Sequence, residues 1–152
     1  MASFDVKSLF TNVPLDEVIN ICADTLYKLN KPSISKNNFI KLLKLSTSGV
    51  YFTFNSQMYS QHDGIAMGSP LGPTLSNIFM GFIESKVISK FQLTYFRYVD
   101  DCFILGKDEK EVDDLFSDLN KAHPSIKFTL EKENNNKLPF LDVLFNDKIK
   151  NF

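Results

Sequence analysis

Asp100 and Asp101 stand side by side inside "YFRYVDDCFIL", a run that is otherwise apolar and aromatic. Adjacent carboxylates repel, and burying either one without a counter-charge is costly. Two readings stay open on these residues alone. A hairpin tip wetted by water accommodates both acids, since Asp is a favoured turn residue. The other reading is a divalent cation held between them, for which a lone Asp-Asp pair is weak evidence. A third acid, Asp5, sits on another short apolar stretch, "SFDV". If the two stretches are neighbours in one sheet, three carboxylates converge on one edge, and such a cluster cannot stay ionised at neutral pH without compensation. Carboxylate and backbone oxygens are hard ligands suited to Mg²⁺. Two such ions, roughly 3.5–4 Å apart, activate an attacking hydroxyl and hold the leaving oxygen of an in-line phosphoryl displacement. The other acid pair, Asp113-Asp114 in "KDEKEVDDLFSD", follows a helical pattern and reads as a solvated face.

The elements that must position these acids follow from periodicity and turn chemistry. "SFDVKSLF" reads as a short strand ending in a turn. "NVPLDEVINICADTLYKLN" reads as a helix with Val18, Ile19, Cys22, Leu26 and Leu29 on its apolar stripe. "SISKNNFIKLLKLSTSG" is a second helix, with Ser35 as N-cap and Gly49 past its end. "VYFTFNSQMYSQ" is a hairpin over Asn55-Ser56, and "TYFRYVDDCFILG" a hairpin over Asp100-Asp101. Between them, "GIAMGSPLGPTLSNIFMGFIESKVIS" is a Gly/Pro loop running into a helix. "KDEKEVDDLFSDLNKAH" is amphipathic, with Val112, Leu115, Phe116 and Leu119 inward. "SIKFTLEKE" and "LPFLDVLF" read as strands joined by a turn at Asn134-Asn135-Asn136. Hairpins outnumber βαβ crossovers, so the class is α+β: an antiparallel sheet with helices on one face.

Bulk composition bounds the rest. The 152 residues fit one domain with a real core, and 43% apolar with 23% charged residues is the usual globular balance. Cys22 and Cys102 lie far apart and read as free thiols of a reducing compartment. The opening "MASFDVKSLF" has no basic segment followed by a long apolar run, so no signal peptide is expected, and no run reaches membrane-spanning length. Net charge is −1 and Arg97 is the only arginine among 17 basic residues. On charge alone this counts against nucleic-acid binding, and phosphate contacts would fall to lysine point charges.

The order of "FDVKSLF", "MGSPLGPTLSNIFM", "YFRYVDD" and "LPFLDV" resembles the palm motifs of reverse transcriptases. The likeness is closest to the Penelope-like retroelement group, through "DVKSLFTNVP" and "YVDD", and it runs from Phe4 to about Phe145. The resemblance implies a polymerase palm with an RRM-like, ferredoxin-like core and truncated fingers, working as an RNA-directed DNA polymerase. Asp5, with the Val6 carbonyl beside it, and Asp100 and Asp101 match the metal-binding acids of two-Mg²⁺ nucleotidyl transfer, with Mn²⁺ as a possible substitute. Phe10 matches the bulky residue under the incoming sugar, whose ring excludes a 2′-hydroxyl. Met67-Gly68 and Gly72-Pro73 match the loop beside the template and the incoming base, where most relatives have Gln-Gly and Ser-Pro. Lys132 matches the lysine proposed as general acid toward pyrophosphate. Phe140, Leu141 and Asp142 match the hairpin that grips the primer's 3′ end, where relatives often have Gly in place of Asp142.

The implied partners are an RNA template, a DNA primer and deoxynucleoside triphosphates, with no membrane, in an intracellular setting, the nucleus included. Complete relatives carry basic fingers before the first acid and a helical thumb after the grip hairpin, so the resemblance implies a palm core without either. Its rivals are a decayed or domesticated remnant without turnover, and another palm enzyme such as an RNA-templated RNA polymerase or a nucleotide cyclase. Phe10 and the grip hairpin speak against the latter.

Overall fold

Ala2, Phe4 and Val6 are buried and Asp5 between them is exposed. That is the period of two expected of a strand with one covered face. A computed structural model describes residues 1–30 and 32–146. The elements run β1 (Ala2–Val6), α1 (Leu9–Asn12), α2 (Leu15–Leu29), α3 (Lys36–Thr47), β2 (Tyr51–Phe54), β3 (Gln57–Ser60), α4 (Gly72–Val87), β4 (Thr94–Tyr98), β5 (Asp101–Leu105), α5 (Glu109–Ala122), β6 (Phe128–Lys132), β7 (Lys137–Phe140) and β8 (Val143–Asn146). The architecture is α+β, as expected. Composition allowed one domain, and the chain forms two compact units: Met1–Lys7 with the chain from Ile83 on, and Ser8–Phe82.

The first unit is built on a four-stranded sheet of order β4-β5-β1-β6, antiparallel throughout. One face carries α5. Its Val112, Leu115 and Leu119 are buried, and Phe116 meets Phe4 edge-on at 5.4 Å between ring centroids. Phe128 closes on the other side of Phe4 at 6.4 Å. This aromatic cluster fixes the strand that carries Asp5; truncating a fully buried Phe to Ala typically costs ~3–5 kcal/mol. The N-cap of α5 is Asp108, whose side chain accepts from the Glu111 N–H at 2.8 Å.

The second unit holds α1, α2, α3, the β2–β3 hairpin and the start of α4. Ser35 caps α3 as expected, accepting from the Asn38 N–H, and Gly49 beyond it takes φ 71°. Tyr27 of α2 packs against Phe39 of α3 at 5.9 Å and donates to the Ile34 carbonyl at 2.6 Å. Both loop residues of the β2–β3 hairpin, Asn55 and Ser56, have positive φ, the type I′ signature of a two-residue loop.

Three expectations need correction. In α2 the buried residues are Val18, Ile19 and Ala23, while Leu29 is 74% exposed, because the helix outruns the surface it packs on. The "VDD" hairpin turns on Val99-Asp100, with Asp101 already the first residue of β5. The neighbouring strand decides this, since β5 is also laddered to β1 and that ladder extends to Asp101. Finally, "LPFLDVLF" is two strands: β7 and β8 fold back on each other over Leu141-Asp142, with Leu141 at φ 50°. Pro139 is tolerated there because a two-stranded ribbon consists only of edge strands.

Candidate active site

The ladder between β1 and β5 ends with Asp5 directly opposite Asp101. Directly opposed residues on antiparallel strands hold their Cβ atoms about 4.5–5.5 Å apart on one face. Asp100 occupies the adjoining turn, so sheet pairing alone gathers the three acids. Burial raises the Asp101 carboxyl above its ordinary value, and the negative charges of Asp100 and Asp5 raise it further. No described residue donates a hydrogen bond or an ion pair to any of the three carboxylates. Among the described residues no three carboxylate, imidazole or thiol groups stand close enough together to hold an ion as they are. The donor set nonetheless fits a hard divalent cation. It offers only oxygens and uncompensated negative charge, with Asp5 and Asp101 paired across the ladder.

The turn that carries Asp100 is held from two sides. The Val6 N–H donates to the Asp100 carbonyl at 3.0 Å, tying the turn to β1. Arg97 Nη1 donates to the Val99 carbonyl at 3.0 Å. Val99 sits at φ 57°, which for a β-branched residue costs of order 1–3 kcal/mol. Arg97 is in turn engaged by Glu84, through Nε to Oε1 and through Nη2 to Oε2 at 3.3 Å. Burial disfavours the charge of Arg97, and the Glu84 carboxylate more than offsets it, so its pKa is raised. Tyr95 donates to Glu84 Oε1 at 2.9 Å and lies 3.1 Å from Cys102 Sγ. Burial is the main reason that the Cys102 thiol is pushed up to about 12, so it is an inert free thiol. The Glu84–Arg97 pair was missed from the sequence, although the chain's only arginine within an apolar strand was a signal.

The grip residues belong to the same unit. Phe140 meets Phe103 of β5 edge-on at 5.5 Å, and Phe145 of β8 meets the same ring at 5.0 Å. Phe103 lies two residues beyond Asp101 and so on the same face, which brings the β7–β8 hairpin beside the acids. A cavity of about 170 Å³ lies between them, lined by Asp5, Asp101, Thr129, Glu131, Phe140 and Leu141. Asp142 is exposed in the turn. Lys132 is not brought to the acids. It pairs with Ala2, three residues from Asp5 along β1, or about 10 Å at ~3.3 Å per residue. Its register places it on the α5 side of the sheet, where it binds Asp113 at 2.8 Å and Glu109 at 3.7 Å.

In the second unit, Phe10 and the Gly/Pro loop come together. The Ile65 N–H donates to the Phe10 carbonyl at 2.6 Å. A Cβ on Gly72 would stand 3.4 Å from Phe10 Cε1, in contact with that ring. Met67 is 77% exposed, and Gly68 follows at φ 89°. Gly64 marks the closest approach, since a Cβ there would lie 2.6 Å from the Thr11 carbonyl oxygen. Among the described residues no helix is long and apolar enough to cross a membrane.

Residues 1–138 match the family described as reverse transcriptase (RNA-dependent DNA polymerase). The fold is similar to that of apo telomerase from Candida tropicalis truncated from its C-terminal domain. That likeness has 18% identity and a TM-score of 0.68, over 95% of this chain and 33% of that one. Telomerase from Candida albicans, in complex with a TWJ fragment of telomeric RNA, is similar at 12% identity and a TM-score of 0.68, over 95% of this chain and 29% of that one. At such identities the likeness is one of fold. The chain spans about a third of the length of the telomerase chains it matches. No curated protein matches it.

Proposed function

From the premise that the chain belongs to the reverse transcriptase family, we propose that it is the palm core of a retroelement RNA-directed DNA polymerase of the Penelope-like group. The observation that carries this reading is the pairing of Asp5 with Asp101, with Asp100 in the adjoining turn and no counter-charge from the described residues. The family uses divalent metal ions. In this chain two Mg²⁺, or Mn²⁺ in their place, would be held by Asp5, Asp100, Asp101 and the Val6 carbonyl. When bound, they supply activation of a primer 3′-hydroxyl and neutralisation of the charge that develops on the α-phosphate and the departing pyrophosphate.

The chain's own residues do the positioning. The β1–β5 ladder presents Asp5 and Asp101 from a rigid sheet, so little reorganisation is left for the moment of reaction. The family resemblance assigns Phe10 to exclusion of a 2′-hydroxyl, and so to selection of deoxynucleoside triphosphates, and assigns Met67 and Gly68 to contact with the template and the incoming base. Phe140, Leu141 and Asp142 hold the primer terminus, with Phe103 coupling that hairpin to the strand of Asp101. The ion pairs of Lys132 with Asp113 and Glu109 weaken its case as the acid toward pyrophosphate. The partners are an RNA template and a DNA primer, and the site of action is intracellular, the nucleus included.

The test is extension of a DNA primer on an RNA template by a polymerase containing this core, with Mg²⁺. Asp100→Asn and Asp101→Asn should each lower incorporation by at least about a hundredfold. Incorporation that survives both changes would sink the assignment. No incorporation by any version, on a folded protein, would favour a remnant without turnover.

A further inference from the structure

We infer that Arg97, clamped by Glu84, is a positioning residue for the acid turn: its guanidinium pins the Val99 carbonyl so that Asp100 and Asp101 stay together on the β4–β5 tip. This rests on the polymerase reading above, because it assigns a task to a residue that touches none of the acids. Two forces work against the tip. Val99 is β-branched and held at positive φ, a conformation it leaves readily unless its surroundings over-determine it. Asp100, Asp101 and Asp5 also repel one another.

Arg97 is suited to resist both. Its Nε and Nη2 are taken by the two oxygens of Glu84, which leaves Nη1 aimed at the Val99 carbonyl. The fork is rigid, so fixing two of its nitrogens fixes the third. Glu84 is itself held by the Tyr95 hydroxyl. Both side chains of the pair are nearly enclosed, Arg97 at 11% and Glu84 at 14% exposure, so water competes weakly for these bonds. A lysine could keep the charge but not the geometry. Its single ammonium cannot bridge both Glu84 oxygens and reach Val99 as a planar fork does. Outer partners that orient metal-binding groups typically contribute ten- to a hundredfold in metal affinity.

The experiment is NMR on the isotopically labelled 152-residue chain, first without metal and then titrated with Mn²⁺. Backbone shifts of Val99 report its left-handed conformation, and paramagnetic broadening reports where Mn²⁺ sits and how tightly. In the wild type Val99 should be left-handed and broadening should centre on Asp5, Asp100 and Asp101. Arg97→Lys, with sheet dispersion intact, should lose the left-handed signature and bind Mn²⁺ about tenfold more weakly or worse. Adding Val99→Gly to Arg97→Lys should restore most of the affinity, because glycine takes positive φ without strain. If Arg97→Lys does not fold, Glu84→Gln, which keeps the side-chain shape, carries the same expectations. An Arg97→Lys chain that keeps both the Val99 conformation and the wild-type affinity overturns the proposal, and so does a glycine that restores nothing. Wild-type Mn²⁺ scattered over all acids, with Val99 still released by Arg97→Lys, upholds the pin and sinks the metal reading instead.

Discussion

Asp5 and Asp101 are register partners on adjacent antiparallel strands. Like charges directly opposite one another destabilise a sheet, and nothing among the described residues neutralises them. The fold therefore accepts a local electrostatic penalty at this edge of the sheet.

That penalty is measurable through pH. The Asp101 carboxyl is raised above 3.8 by burial and by its two acidic neighbours. The folded state thus binds a proton that the unfolded state gives up, and stability falls as pH rises through this raised value. Asp101→Asn should raise the melting temperature at pH 7, with the gain vanishing once the pH drops below about 3.8. A gain that persists at low pH would mean that the charge is not its cause.

Phe10→Ala should relax sugar selection in a polymerase containing this core. Sterically excluding one hydroxyl is worth several kcal/mol, and each ~1.4 kcal/mol is tenfold, so discrimination should fall by about a hundredfold in single-turnover assays with paired nucleotides. Unchanged discrimination would reduce Phe10 to a packing residue of its loop.

Two glycines of the second unit should respond oppositely to alanine. At Gly64 a methyl would stand 2.6 Å from the Thr11 carbonyl oxygen, at φ +76°, so Gly64→Ala should destabilise by more than ~1 kcal/mol. At Gly81, inside α4, nothing lies within 4 Å, and Gly81→Ala should stabilise by roughly 0.5–1 kcal/mol. Chemical denaturation of both variants checks the pair.

Lys132→Ala should leave Mn²⁺ broadening at the acids unchanged, because Lys132 is engaged by Asp113 on the α5 side of the sheet. A shift in the broadening pattern would show that its charge reaches the site.

Much of this was legible in the residues. The short apolar stretch around Asp5 in "SFDV" and the apolar flanks of "VDD" placed both strands, and the run Asn134-Asn135-Asn136 set the turn before β7, where Asn135 and Asn136 both take positive φ. What escaped depended on partners distant in sequence. The turn moved to Val99-Asp100 because β1 recruits Asp101 into its ladder, and no local signal encodes that. Leu141 took positive φ although leucine has no intrinsic preference for it, so "LPFLDVLF" read as one strand. The role of Glu84 rests on a helix end meeting a strand, which periodicity does not report.

The place of β1 between β5 and β6 also has a consequence in time. Its ladder partners are residues 101–104 and 128–132, so at roughly 5–20 residues per second a nascent chain waits many seconds before either edge of the strand is paired. Until then Ala2, Phe4 and Val6 present an apolar strand with both edges open, the kind of segment from which aggregation starts. Asp5 is the one charged side chain in that strand. A single charge in an otherwise apolar strand is the kind of gatekeeper that discourages such pairing, so Asp5 guards β1 until its partner strands are made.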